Sequence, residues 1–176
     1  MLDAAGVEYS SVKPEVDEAG LKAGRTDAAD IALRLAETKT LSVGGNEWTI
    51  GSDSVVSAGG RLFDKPRDRE EAAEHLRFFS AKPMQLTSAV ALARDGTVHW
   101  HHVDTATLQV RPLSEKFIAA YLDAEWPEVG YTVGVFRLEG RGVQLFSSID
   151  GDHFTILGMP LLPLLGALRE RGLLLA

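Results

Sequence analysis

Four charged residues stand out by type and by neighbourhood: Glu18, Lys39, Asp53 and Lys65. Carboxylates hold hard divalent cations through oxygen, and lysines neutralise phosphate charge as compact ammonium ions. Together they form the smallest set able to run a metal-assisted attack on a phosphate. Aspartate, with an ordinary pKa of about 3.9, is a weak base at neutral pH; Asp53 becomes useful when a cation lowers the pKa of the water it deprotonates. Arg137 and Glu139 offer a second cation and carboxylate later in the chain. No Walker motif or dinucleotide fingerprint occurs, so kinase and dehydrogenase chemistry have no support. Spacing alone leaves quieter roles open. Asp53, in TIGSDSVVS, can cap a turn at a strand end, and Lys39 can lay its stem along apolar surface with its ammonium in water. His99 and His101 share a strand face, but with no third ligand nearby a solvated face is the better reading.

These residues need elements to position them. Met1–Gly6 reads as the last turns of a helix closed by Gly6. A short strand is expected at Val7-Glu8-Tyr9 and an extended acidic loop at 13–18. Residues 27–43 predict a helix capped by Thr26 or Asp27, with Ala28, Ile31, Ala32 and Leu35 inward and Lys39 one turn further along the same stripe. A strand over Trp48–Gly51 leads to Asp53, and Ala58-Gly59-Gly60 turns the chain toward Leu62-Phe63. Pro66 bars Lys65 from a helix interior. Asp68 caps a second helix with Ala72, Leu76 and Phe79 inward. Met84–Ala93 and Thr97–Val110 alternate as two long strands around Asp95-Gly96, a strong hairpin signal. Ser114 caps a third helix with Phe117, Ile118, Tyr121 and Leu122 inward, ended by Trp126-Pro127. Residues 128–142 are glycine-rich, Val143–Ile149 predicts a strand, and Pro160 starts a final helix closed by Gly172.

The bulk composition narrows the class. A chain of 176 residues suits one sizeable α/β domain with a real core. A net charge of −7 argues against a general nucleic-acid or membrane-surface binder, though not against a small anionic ligand. The absence of cysteine removes disulfides and thiolate metal sites and fits a cytoplasmic protein. No apolar run approaches the length of a membrane span, and the first residues lack the pattern of a secretory signal.

Seven stretches, in order, carry a resemblance: PEVDE at 14–18, LRLAETK at 33–39, IGSDSVV at 50–56, DKP at 64–66, LSEKFIAAYL at 113–122, FRLEGRG at 136–142 and IDGDHFTILGMPL at 149–161. The chain resembles the Maf family, septum-formation-like nucleoside triphosphate pyrophosphatases, over essentially its whole length. The resemblance implies one domain over residues 1–176, with an elongated mixed β-sheet flanked by helices, two lobes around a nucleotide cleft, and a homodimer in many members. Against the family pattern, the first strand and the Ser-rich, Arg-containing loop that grips the triphosphate are absent. Tyr131-Thr132-Val133-Gly134 replaces a stretch that usually carries an acid followed by Ala-Gly.

It also implies Mg²⁺- or Mn²⁺-dependent hydrolysis of a modified or non-standard nucleoside triphosphate between the α and β phosphates. Asp53 matches the catalytic acid, which activates water or holds the metal, and Glu18 a second metal contact. Lys39 and Lys65 match the two lysines facing the phosphates; Ser54 and Glu139 fall where members vary with the base they accept. FRLEGRG is closer to the 7-methyl-GTP branch than to the dTTP/UTP branch, and a carboxylate such as Glu139 suits the two N–H donors of a guanine edge. The rival expectations are a nucleotide-binding, regulatory protein with little turnover, and a phosphatase or diphosphatase acting on another nucleotide. A nucleic-acid polymer and a membrane are not expected partners.

Overall fold

The computed structural model describes residues 1–175. Its helices are α1 (Glu18–Lys22), α2 (Ala28–Val43), α3 (Arg69–Phe79), α4 (Glu115–Glu125), α5 (His153–Ile156) and α6 (Leu161–Glu170). Its strands are β1 (Thr49–Ala58), β2 (Arg61–Phe63), β3 (Pro83–Arg94), β4 (Thr97–Val110) and β5 (Phe146–Asp150), in the sheet order β2-β1-β3-β4-β5. The expected α/β architecture of a sheet flanked by helices is found, with the strands antiparallel rather than mixed. Two of the connections are two-residue turns, which only antiparallel neighbours can use. Gly59-Gly60 and Asp95-Gly96 all have positive φ, the geometry that matches the twist of a tight hairpin.

The chain divides into two compact units. The first comprises residues 1–54, 87–104 and 152–176. On one face of its strands Leu2, Val90, Leu92, Leu161, Leu164, Ala167 and Leu168 form a closed apolar cluster, with Ile50 packed against it. On the other face lies α2, whose Ile31, Ala32, Leu35 and Ala36 are fully buried. Asp27 caps this helix by accepting from the amides of Ala29 (2.8 Å) and Asp30 (3.1 Å). The second unit comprises residues 55–86 and 105–151. Its α3 and α4 pack together, capped by Asp68 and Ser114 through the amides of Glu71 (2.9 Å) and Phe117 (3.2 Å). Phe63, Leu76, Phe79, Leu108, Ile118 and Leu122 are buried in this unit.

His75 brings a polar ring to that aromatic cluster, edge-on to Phe63 at 5.1 Å with its Nδ1 buried and unpartnered. Burial holds its pKa below the ordinary histidine value, against the pull of Glu71 and Glu74. The folded state therefore binds fewer protons than the unfolded chain, and stability falls as pH drops below the ordinary value of 6.5. His75→Leu is expected to flatten that acid limb, read as melting midpoint against pH for both proteins.

Several expectations are corrected. Asp53 is not at a strand end: β1 runs unbroken through it, because Ser52, Ser54 and the β-branched Val55 and Val56 continue the alternation. Val7–Tyr9 is not a strand; Val7 instead returns its amide to Leu2 and packs on the apolar cluster. Glu18 leaves the expected acidic loop and opens α1, where Asp17 caps the turn through the Gly20 amide at 3.0 Å. Residues 141–145 form a 3-10 turn, so β5 starts at Phe146 instead of Val143.

Candidate active site

The local build of β1 decides which side chains meet α2. Alternation puts Gly51 and Asp53 on the face covered by α2, and Ile50, Ser52 and Ser54 on the opposite face. Gly51 is required there. A Cβ at this position would lie 2.1 Å from Thr40 Oγ1, 2.5 Å from Ala36 O and 2.8 Å from Thr40 N. Without one, helix and strand come close enough for Lys39 to reach Asp53.

Lys39 is consequently not a snorkelling lysine. Its ammonium donates to Asp53 Oδ1 and to Glu18 Oε1, the latter at 2.8 Å. The Lys39 side chain is 18% exposed and that of Asp53 14%, so this is a largely desolvated pair. Burial works against the Lys39 charge, but the two hydrogen bonds outweigh it and hold its pKa above the ordinary lysine value. Burial also pushes Asp53 above the ordinary aspartate value; Lys39 opposes this, Glu18 adds to it and Lys22 opposes it weakly. Lys22 was not singled out in the sequence, although its spacing of four from Glu18 on one short helix was a usable signal.

Ser54 makes its bonds on the other face. Its Oγ lies 2.7 Å from Ser88 Oγ and donates to the Gly158 carbonyl at 3.3 Å. Ser52 Oγ lies 2.7 Å from the same carbonyl oxygen and 2.8 Å from Ala89 O, its one proton shared between the two acceptors. Ser88 donates to Thr155 O and Thr155 to Asp104 Oδ2, each at 2.7 Å. These hydroxyls fasten the segment 152–158 behind the strand that presents Asp53.

Lys65 and Glu139 are carried by the second unit, both exposed. Lys65 follows β2, beside the buried Pro66. Glu139 sits on a turn whose base is held from α4: the buried Tyr121 hydroxyl donates to Val135 O at 3.0 Å. Glu125, whose side chain is 9% exposed, pairs loosely with Arg137 (3.9 Å) and Arg141 (4.0 Å). Gly142 lets this turn close, since a Cβ there would meet Arg137 O at 2.4 Å. Glu125 was also missed in the sequence; one helical turn after Tyr121, it could have been read as its neighbour on the same face. Tyr121→Phe should leave Val135 O without its donor and cost about 1 kcal/mol, measured by denaturant unfolding.

For a metal, the fit rests on donor chemistry. Glu18 and Asp53 both turn a carboxylate oxygen to one cation, the Lys39 ammonium. Among the described residues there is no cluster of three or more acidic or histidine groups suited to a metal. Two carboxylates fit Mg²⁺ or Mn²⁺, ions that keep several waters and take further oxygens from a substrate phosphate. His99 and His101 are exposed, and His101 Nδ1 lies 3.2 Å from Glu37, which agrees with a solvated face. No helix among the described residues is long and apolar enough to cross a membrane.

The chain is similar to known proteins over nearly its whole length. The family model described as Maf-like protein matches residues 1–171. A 7-methyl-GTP pyrophosphatase from Rhizobium meliloti is 45% identical over 98% of this chain and 90% of its own length. A nucleoside triphosphate pyrophosphatase from Nitrobacter hamburgensis is 44% identical, covering 99% of this chain and 89% of that protein. A 7-methyl-GTP pyrophosphatase from Brucella suis biovar 1 is 42% identical over 97% and 89%.

Proposed function

Because the chain belongs to the Maf-like protein family, we propose that it is a nucleoside triphosphate pyrophosphatase, cleaving the α–β anhydride to a monophosphate and pyrophosphate. The observation that carries this reading is the Glu18–Lys39–Asp53 cluster, with Lys39 and Asp53 largely withdrawn from water, which combines oxygen ligands with a phosphate-neutralising cation. Glu18 and Asp53 are the residues that would hold Mg²⁺ or Mn²⁺, which when bound supplies charge neutralisation and a more acidic water. Asp53 takes the proton of the attacking water, and Lys39 turns from the carboxylates to a phosphate oxygen. Lys65, exposed on its loop, adds a second cation for the released pyrophosphate. The cytoplasm, where nucleotides are made and used, is the proposed site of action.

The substrate we propose is a guanine nucleotide of the 7-methyl-GTP type. Two of the similar proteins carry that name, and Glu139 is an exposed carboxylate able to accept the two N–H donors of a guanine edge. Ser54 contributes through the Gly158 carbonyl it holds, since its own hydroxyl is already engaged on the face away from Asp53. The test is incubation with a panel of nucleoside triphosphates, 7-methyl-GTP included, with Mg²⁺ or Mn²⁺, and separate assay of pyrophosphate and orthophosphate. Pyrophosphate with monophosphate is the expected result. Orthophosphate in its place would make the protein a phosphatase, and tight nucleotide binding without release would make it a binding protein.

A further inference from the structure

Lys39 is positioned as more than a phosphate contact. Its ammonium donates to one oxygen of Glu18 and one of Asp53 at the same time, and its side chain is mostly withdrawn from water. A divalent ion shared by the two acids would compete with the ammonium for these carboxylates. An ammonium and a divalent cation cannot both hold them, because like charges at contact distance in a desolvated site repel strongly. The contacts of Lys39 with both acids also offset one of their two negative charges without any added ion, so the resting chain has less electrostatic need of one. Lysine suits such a part: a point charge on a flexible stem can swing to a new partner, whereas a planar guanidinium would be fixed by its fork.

We propose that Lys39 is a built-in counter-ion that keeps free divalent metal off Glu18 and Asp53 until a nucleotide triphosphate draws its ammonium away. The metal site is then completed only together with the substrate. This rests on the reading that Glu18 and Asp53 hold the metal, and it adds an order of events to that reading. The resting enzyme does not accumulate metal at this site, and a triphosphate and the metal bind with positive coupling, each raising the affinity for the other.

The test uses the full chain and Mn²⁺ alone, with free ion followed by its paramagnetic resonance signal. Lys39→Met keeps the stem and removes the charge, and should bind Mn²⁺ at least about tenfold more tightly than the parent protein, a difference of about 1.4 kcal/mol. Lys39→Arg keeps a cation and should show no such gain. Adding Asp53→Asn to Lys39→Met should abolish the gain. The parent protein provides a check that needs no substitution: a triphosphate analogue with a non-hydrolysable α–β bridge should tighten Mn²⁺ binding by more than the analogue binds Mn²⁺ by itself. Lys39→Met binding no tighter than the parent, or Lys39→Arg gaining as much, would overturn the proposal. Pyrophosphate release by the parent with no gain in Lys39→Met would sink this inference and leave the proposed function standing. A gain in Lys39→Met with no pyrophosphate release from any nucleotide would do the reverse.

Discussion

Asp53→Asn should lower pyrophosphate release by about 10²–10⁴-fold, the range typical of a lost general base, while the protein still folds. Asparagine has nearly the volume of aspartate, so the packing between β1 and α2 is kept. What it lacks is the charge that takes a proton from water. Lys39 would retain Glu18 as a partner, at 2.8 Å in the parent, and would not be left as an uncompensated buried cation. Stability is pulled both ways. Burial holds the Asp53 pKa high, so the ionised form is disfavoured in the folded state, and the neutral amide removes that penalty. It also removes one of the two bonds that hold the Lys39 pKa high. The midpoint of thermal unfolding is therefore expected to shift by only a few degrees. Activity within tenfold of the parent would show that another group is the base.

Gly51→Ala should have the largest effect on stability, on the order of 3 kcal/mol. For a domain of this size that is a fall of roughly 6–12 °C in melting midpoint. The reason is the identity of the atoms met. Thr40 Oγ1 could rotate away from the new methyl, giving up its bond to Ala36 O. Ala36 O and Thr40 N are helix backbone and cannot move without displacing α2. The double substitution Gly51→Ala/Thr40→Ala should accordingly recover only part of the loss. Since Lys39 immediately precedes Thr40, a displaced α2 also draws its ammonium from Asp53, and residual activity should fall further than the melting data alone would suggest. A midpoint within 2 °C of the parent, by calorimetry, would contradict the close approach.

The helices were legible because their signals are local. Asp27, Asp68 and Ser114 cap where expected, and the apolar spacing of Ile31, Ala32 and Leu35 or of Ala72, Leu76 and Phe79 faces the core as read. The Asp95-Gly96 hairpin was equally plain. Strand limits were less so. Asp53 looked like a stop because aspartate disfavours strands, but a lysine from a facing helix satisfies it, and that partner is 14 residues away in sequence. Lys39 itself was ambiguous for the same reason: a lysine in an apolar stripe has the same local pattern whether its ammonium reaches water or a carboxylate. The part played by Glu125 lies in the pairing of α4 with a turn more than ten residues later, for which helical periodicity carries no information.

The hydroxyl bonds behind β1 have a consequence for how the molecule is made. Ser52 and Ser54, on either side of Asp53, take the Gly158 carbonyl as partner across separations of 106 and 104 residues. Contacts so distant in sequence form late, because closing a long loop must precede any gain from it. During synthesis, the strand bearing Asp53 therefore waits for all but the last residues of the chain before it can be fastened in place. A nascent chain stopped before Gly158 would own every charged residue of the candidate site and still lack the clamp behind it.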